Sequence, residues 1–222
     1  MSSDLVIGMM PKELGNPYFE SCREGAREAA REREFTLLWD GPRQPDAAAQ
    51  AGYVTRWVSE GVPVIAVSVE DRAGLSPVLK EARKRGVRVL TWDADAEPDA
   101  RDFTVVPAAA EGIAQALAYE VGRTLGGHGE VAIITSTLNA PNQSAWLAQL
   151  RKRLASDFPD VEIVGVRTCN DLEARAHRET EGILKRRPQL GAIVGLCAPA
   201  VPGAARALKG ARRRGVHLTG LS

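Results

Sequence analysis

Short apolar runs rich in β-branched residues alternate with amphipathic stretches of helical periodicity, and this alternation constrains the fold more than any other feature. The interval between successive runs is about 30 residues, which is typical of βα units. The predicted strands are Leu5–Met10, Thr36–Trp39, Val62–Ser68, Val87–Trp92, Phe103–Val105, Val131–Thr135, Glu162–Thr168, Ala192–Leu196 and Val216–Leu221. The predicted helices are Tyr18–Arg33, Pro45–Glu60, Gly74–Arg85, Ala108–Leu125, Gln143–Asp157, Leu172–Arg186 and Ala200–Arg214. The pattern indicates an α/β fold with parallel sheets.

The pattern restarts after Val105, where Gly126, Gly127 and Gly129 precede a fresh strand. The first half has four main strands, and the second half repeats their arrangement. A chain of 222 residues is long enough for two lobes of about 100 residues each. We therefore expect two Rossmann-like lobes, residues 1–106 and residues 107–222.

Charge and composition exclude several classes of protein. Lys and Arg number 29 against 28 Asp and Glu, so the chain offers no electrostatic attraction for nucleic acid. The three cysteines and three histidines are too scattered for a metal site or a disulfide framework. No apolar run approaches the roughly 20 residues of a membrane span. No signal peptide precedes the first strand, which fits either a cytosolic protein or an exported one numbered after its signal.

Ligands of open parallel sheets bind beyond the carboxyl ends of the strands, where helix N-termini and loops converge. The side chains expected there are Lys12, Asn16, Tyr18, Phe19 and Asp93 in the first half and Asn142, Gln143 and Trp146 in the second. Carboxylate and amide groups pair with hydroxyls at fixed angles, and the apolar face of a sugar ring packs on aromatic rings. The set therefore suits a small polyhydroxylated ligand.

Most of these residues also have a purely structural interpretation. Asn16 can cap a helix, Phe19 can belong to the core, and Asp93 can cap the turn after its strand. Lys12 is harder to explain in this way, because a lysine beyond an apolar strand would otherwise extend into solvent.

Sequence motifs of enzymes are absent. The first strand runs into Gly-Met-Met-Pro-Lys rather than a Gly-x-Gly-x-x-Gly dinucleotide fingerprint. The chain has neither a Walker-type phosphate loop nor a Gly-x-Ser-x-Gly elbow, and no histidine lies in a loop after a strand as a general base. We therefore expect no catalytic residues, no cofactor and no metal.

Six segments, in order along the chain, carry a family resemblance: Pro11–Phe19, Asp40–Pro42, Gly86–Asp95, Asn142–Trp146, Glu181–Lys185 and Leu218–Ser222. Each is weak alone, but the ordered set resembles the type I periplasmic binding proteins of sugar ABC transporters. The similarity is greatest to the branch that holds rhamnose-binding and autoinducer-2-binding proteins.

The resemblance implies a solute-binding protein whose two lobes close on a monosaccharide-like ligand and then dock on a membrane permease. It implies a periplasmic or extracytoplasmic location, in lipid-anchored or secreted form. By position, the ligand contacts would come from Lys12, Asn16, Phe19, Asp93, Asn142 and Gln143, with largely backbone contacts from Leu196 and Ala198. Autoinducer-2 binders carry an acid at the position of Asn142 and Pro-Asp in place of Leu196-Cys197, so the rhamnose-type branch fits better.

Alternatives stay open. Family members usually continue well beyond the strand that ends this sequence, so the chain is either truncated, which would weaken or abolish binding, or an unusual short member of the family. Autoinducer-2-type signal binding is one alternative function. Another is the effector-sensing part of a transcription regulator, which would require a helix-turn-helix segment before residue 5.

Overall fold

Parallel β-sheets flanked by helices make up the computed structural model, which describes residues 5–221. Residues 1–4 and residue 222, at the outer ends of the two predicted lobes, lie outside the described part. The chain divides into two compact units. The first lobe comprises residues 5–107 with Asn139–Pro141, and the second comprises Ala108–Leu138 with residues 142–221.

Five parallel strands form the sheet of the first lobe. They are β1 (Val6–Met10), β2 (Thr36–Trp39), β3 (Val64–Val67), β4 (Arg88–Trp92) and β5 (Phe103–Val105), and the helices are α1 (Pro17–Arg33), α2 (Ala47–Ser59) and α3 (Arg72–Lys84), with a 3-10 turn at Pro98–Ala100. The strand order is β2-β1-β3-β4-β5. Because all the strands run in one direction, the loops after β1, β3 and β4 meet at one edge of this sheet.

Local capping decides where the helices of the first lobe begin. Asn16 accepts a hydrogen bond from the backbone N–H of Tyr18, and Pro17 occupies the first turn of α1. Asp46 caps α2 and Asp71 caps α3 in the same manner. Each cap satisfies backbone donors that a helix start leaves without partners.

Trp57, on the buried face of α2, lies in the core of the first lobe at 2% exposure. The sequence interpretation placed Trp57 in a helix, and the sheet leaves room for its indole at Gly8 of β1. A Cβ atom at Gly8 would lie 2.7 Å from the Cε3 atom of Trp57. A glycine at this point of the strand therefore allows the close approach of the ring.

The second lobe has a four-stranded parallel sheet. Its strands are β6 (His128–Thr135), β7 (Asp160–Thr168), β8 (Leu190–Gly195) and β9 (His217–Gly220), and its helices are α4 (Ala110–Thr124), α5 (Pro141–Asp157), α6 (Glu173–Arg186) and α7 (Ala200–Gly210). The order β7-β6-β8-β9 repeats the order β2-β1-β3-β4 of the first sheet. The prediction of an α/β fold with two parallel sheets is confirmed.

Candidate functional site

At the carboxyl edge of the first sheet, three polar side chains that follow three different strands are buried together. Lys12 follows β1, Ser68 follows β3 and Asp93 follows β4, and all are less than 10% exposed. The Nζ atom of Lys12 lies 3.6 Å from Oδ2 of Asp93. Ser68 Oγ donates a 2.7 Å hydrogen bond to the same Oδ2, and Tyr18 Oη donates a 3.3 Å hydrogen bond to Oδ1.

This cluster pairs two buried charges. A buried ion pair stays ionised only when attraction and added hydrogen bonds offset the loss of hydration, and Ser68 and Tyr18 supply two of those bonds to Asp93. Burial raises the pKa of Tyr18 well above its ordinary value, and the neighbouring Asp93 carboxylate raises it further. Tyr18 is therefore a protonated hydrogen-bond donor at neutral pH.

The backbone of Asp93 is in the left-handed region, with φ of 61°. Its N–H donates a 3.0 Å hydrogen bond to the carbonyl of Val105, at the end of the neighbouring strand β5. A side chain other than glycine rarely occupies this region without reason, and Asp is among the few that tolerate it. The left-handed backbone at Asp93 thus places its carboxylate in the cluster.

Gln50 of α2 ties two of these loops together. It is fully buried, and its Nε2 group donates to the carbonyls of Pro11, at 3.1 Å, and Ser68, at 2.8 Å. Its Oε1 accepts from the N–H of Glu70, at 3.0 Å. Gln50 was not among the residues predicted from the sequence. Its position could have indicated a structural role, because an amide on the apolar face of an otherwise alanine-rich first turn needs hydrogen-bond partners in the interior.

Asn16 and Phe19, the other two predicted contacts of the first lobe, serve structural roles. Asn16 caps α1, and its Nδ2 donates to Glu13 Oε1 at 2.8 Å. Phe19 is 4% exposed, and its ring meets Tyr18 and Trp92 edge-on at centroid distances of 5.2 and 5.7 Å. These structural roles agree with the alternative interpretations of both residues. A ligand contact by Asn16 or Phe19 stays a prediction.

The carboxyl edge of the second sheet is held by Gln143, in the first turn of α5. This side chain is 5% exposed, and its Oε1 accepts hydrogen bonds from Thr135 Oγ1 and from the N–H of Ser136, the latter at 2.7 Å. Because a backbone N–H can only donate, these bonds fix which end of the amide faces β6. Within the described residues, Nε2 of Gln143 makes no hydrogen bond to protein.

The loop after β7 adds a carboxylate to this edge. Ser136 Oγ donates a 2.6 Å hydrogen bond to Oδ2 of Asp171. Asn170 and Asp171 both have positive φ, of 50° and 52°. As at Asp93, the loop adopts a conformation that Asn and Asp tolerate better than other side chains. Ser136 and Asp171 were missed as site residues in the sequence, because only the fold brings them together.

The remaining predicted contacts also lie at the second edge. Asn142 immediately precedes Gln143 and accepts a 2.9 Å hydrogen bond from its N–H. Leu196 is fully buried, and its N–H donates to Ile134 within the sheet ladder. Any backbone contact from Leu196 to a ligand would therefore use its carbonyl. Ala198 is half-buried in the loop after β8.

Two further findings concern residues 5–221. No group of three or more His, Cys, Asp or Glu side chains there is arranged to hold a metal ion. No helix in that range has both the length and the apolar character needed to cross a membrane.

Comparison with known proteins places this arrangement in a family. Residues 7–222 match the periplasmic binding protein domain. The chain belongs to this family. Its members are substrate-binding proteins that act in the periplasm or outside the cytoplasm. The resemblance inferred from the six sequence segments is thereby confirmed.

Among relatives of this periplasmic binding protein is the xylitol-binding protein of Mycolicibacterium smegmatis, 26% identical over 216 residues. The match covers 97% of this chain and 61% of that protein. The chain thus spans less than two thirds of the length of this curated relative.

Two solved structures are close in fold. An ABC transporter solute-binding protein from Clostridium phytofermentas with bound L-rhamnose has a TM-score of 0.95 at 27% identity. That match covers 100% of this chain and 70% of the other. LsrB of Clostridium saccharobutylicum, in complex with AI-2, has a TM-score of 0.91 at 26% identity, covering 98% and 70%.

Proposed function

We propose that this protein is a solute-binding component of a sugar ABC importer that reversibly binds a monosaccharide-like ligand through residues of both lobes, 1–106 and 107–222. It would act as a carrier rather than an enzyme. Family membership supports this proposal, as does the likeness to the rhamnose-bound solute-binding protein. We further propose an extracytoplasmic location, lipid-anchored or secreted, and a membrane permease as the partner.

The observation that carries the proposal is the buried Lys12–Asp93 pair at the carboxyl edge of the first sheet. Two charges sequestered behind strand ends are costly for the fold. They become useful when a hydroxylated ligand arrives, since hydrogen bonds to charged groups are roughly twice as strong as neutral ones. An ammonium donor beside a carboxylate acceptor matches the vicinal hydroxyls of a sugar.

From the second lobe, the neutral amides of Asn142 and Gln143 would contact the ligand. Oε1 of Gln143 is engaged within the lobe, which leaves its Nε2 as a donor toward a ligand hydroxyl. Asn142 lies next to it in the first turn of α5, and the backbone around Leu196 and Ala198 would complete this half. Asn16 and Phe19 would border the first half, where Phe19 holds Tyr18 in place.

For the ligand we propose a pentose, a hexose or a deoxyhexose. A signalling molecule of the AI-2 type is the second candidate, because LsrB, a structural neighbour, is in complex with AI-2. Asn142 favours the sugars, since a neutral amide replaces the acid that the autoinducer-2 binders carry.

A thermal-shift screen against pentoses, hexoses, deoxyhexoses and AI-2, followed by calorimetry, tests the proposal. We expect one class of sugar to raise the Tm and to bind with Kd near 1 μM, about −8 kcal/mol. Asp93→Ala should abolish measurable binding, whereas Asp99→Asn, at an exposed carboxylate of the same lobe, should leave Kd unchanged.

Two results would overturn the proposal. One is the absence of a Tm shift with every sugar. The other is unchanged affinity in Asp93→Ala, which would show that the ligand binds elsewhere. A response to AI-2 alone would favour the second candidate.

A further inference from the structure

Two cysteine thiols meet inside the second lobe. Cys169 directly follows β7 and Cys197 lies two residues after β8, and the two Sγ atoms are 3.5 Å apart. Their exposures are 0% and 6%. The strands β7 and β8 are not neighbours, because β6 lies between them in the sheet. The two sulphur atoms therefore reach each other across the carboxyl end of β6.

This juxtaposition is already close to the geometry of a bond. A disulfide has an S–S length of about 2.05 Å, so the two sulphurs need to approach by only about 1.5 Å. The loops that carry them have anchored backbones, since Cys169 N–H donates to the Thr135 carbonyl and Leu196 N–H donates to the Ile134 carbonyl. A small adjustment of the two side chains and their loops would close the gap.

We propose that Cys169 and Cys197 are an oxidation site, at which an intramolecular disulfide forms and links the ends of β7 and β8. The oxidant is a disulfide, either a small thiol compound in its oxidised form or a protein of that class. One thiolate attacks the oxidant and releases its first thiol as a mixed disulfide forms. The second thiolate displaces the oxidant's remaining thiol, so the cysteines lose two electrons and two protons and the oxidant gains them.

Burial sets the pace of this reaction. The attacking species is the thiolate. The hydrogen bond with Cys169, burial and the nearby Asp171 all raise the pKa of the Cys197 thiol. Oxidation therefore requires a transient opening of the loops and becomes faster as pH rises. Cys22, on α1 in the first lobe, is half-buried and separate from the pair.

The bond would restrain both loops at the second edge. One loop carries Asn170 and Asp171, and the other carries Ala198. A cross-link between residues 169 and 197 closes a loop of roughly 30 residues, which lowers the entropy of the unfolded chain. We expect the Tm of the second lobe to rise by about 5–10 °C on oxidation. This inference does not depend on the proposed sugar ligand.

The test uses the full chain, reduced with dithiothreitol and then incubated with oxidised glutathione at pH 8. We expect an intact-mass loss of about 2 Da and a peptide pair linked through Cys169 and Cys197 in non-reducing maps. Cys22→Ser should form the same link and show the Tm rise. Cys22→Ser/Cys169→Ser and Cys22→Ser/Cys197→Ser should show neither.

Three outcomes would overturn the proposal. The first is full alkylation of both thiols after unfolding of the oxidised sample, which shows that no bond formed. The second is a glutathione adduct as the end product on either residue. The third is a link that involves Cys22. Mapping of the unmodified chain decides among these even if the serine variants fold poorly.

Discussion

The two lobes share one scaffold and differ in the chemistry at its edge. In each sheet, the first strand of the lobe lies between the second and the third. Each lobe also has a buried glutamine in the first turn of a helix, and this side chain forms hydrogen bonds at the carboxyl ends of the strands. In the first lobe, Gln50 frames the charged pair of Lys12 and Asp93. In the second, Gln143 accepts a hydrogen bond from the N–H of Ser136, whose hydroxyl donates to the Asp171 carboxylate, and its amide neighbour is Asn142.

This difference suggests that the first edge provides the strength of ligand binding and the second edge its selectivity. Buried charges give strong hydrogen bonds but make the first edge dependent on the pairing of those charges. The neutral amides of Asn142 and Gln143 at the second edge bind more weakly but reject a ligand that leaves either of them without a partner. The four predictions below test how far this contrast holds, from the largest expected effect to the smallest.

Removal of Lys12 should have the largest effect, because it leaves a buried carboxylate without its nearest cation. We expect Lys12→Met to lower the unfolding free energy of the first lobe by about 3–5 kcal/mol. Hydrogen exchange followed by mass spectrometry should show faster exchange in β1, β3 and β4 and little change in the second lobe.

The double variant Lys12→Met/Asp93→Asn is the control for this prediction. It removes both charges and keeps the size of the side chains, so most of the lost stability should return. A single variant as stable as the wild type would show that the ion pair does not set the stability of the first edge.

Substitution of Gln50 and of Gln143 should show which of the two glutamines contributes more to the free energy of unfolding. Gln50→Leu removes three hydrogen bonds to buried backbone groups and should cost about 3 kcal/mol. Gln143→Leu removes one backbone partner and one hydroxyl partner that can rotate, and should cost about 1–2 kcal/mol. Urea unfolding of both variants measures the difference.

The glutamate variants sharpen the same comparison. Gln143→Glu keeps the accepting oxygen, although it buries a charge, and should lose less stability than Gln50→Glu. Gln50→Glu cannot donate to the carbonyls of Pro11 and Ser68 and should be at least as unstable as Gln50→Leu. Equal effects of the two glutamates would contradict the assigned roles of the amide ends.

Glycines beside aromatic rings provide a third contrast. An alanine Cβ at Gly8 would press on Trp57, which is fully buried and cannot move away, so Gly8→Ala should lower the Tm, at a cost of about 2 kcal/mol. Gly122 of α4 faces Phe158, which is only half-buried. Because that ring can turn outward and alanine favours helix, Gly122→Ala should be near neutral. Equal losses would show that Phe158 is as rigid as Trp57.

Protonation of Asp95 at low pH should destabilise the first lobe, and this is the smallest of the four expected effects. Burial raises the pKa of Asp95, but hydrogen bonds from Arg101 and Thr91 and the charge of Arg101 outweigh this and hold the pKa below its ordinary value. A carboxyl with a lowered pKa in the folded state stabilises the fold above its ordinary pKa, and the contribution is lost as pH falls through the folded value. Asp95→Asn should therefore cost about 1–2 kcal/mol at pH 7.

The pH dependence distinguishes this from a packing defect. The gap between Asp95→Asn and wild type should shrink once pH falls below about 4, as measured by urea unfolding at pH 7, 5 and 3.5. A gap that stays constant across this range would contradict the ionic origin of the effect.

The sequence predicted those features that depend on residues close together along the chain, such as the limits of strands. The limits of β2 and β5 match the prediction, because apolar runs bounded by turn residues define them. Boundaries moved where a cap outside the pattern decided them. The third helix begins at Arg72 rather than Gly74, because Asp71 caps it.

Contacts between distant segments could not be predicted. Ser68 and Asp93 are 25 positions apart, and Cys169 and Cys197 are 28 apart. Parallel strands bring the ends of such segments together, but the sequence does not state which side chains then face inward. Lys12 was recognised as unusual for its place after an apolar strand, and its burial with Asp93 supplies the reason.

The left-handed backbone at Asp93 limits how this protein can be adapted to another ligand. Replacement by anything other than glycine or asparagine would strain the turn as well as remove the carboxylate. Asn142, by contrast, lies in the first turn of an ordinary helix, whose backbone conformation accepts many residue types. Libraries that aim at a new sugar should therefore randomise the start of α5 and hold the end of β4 constant.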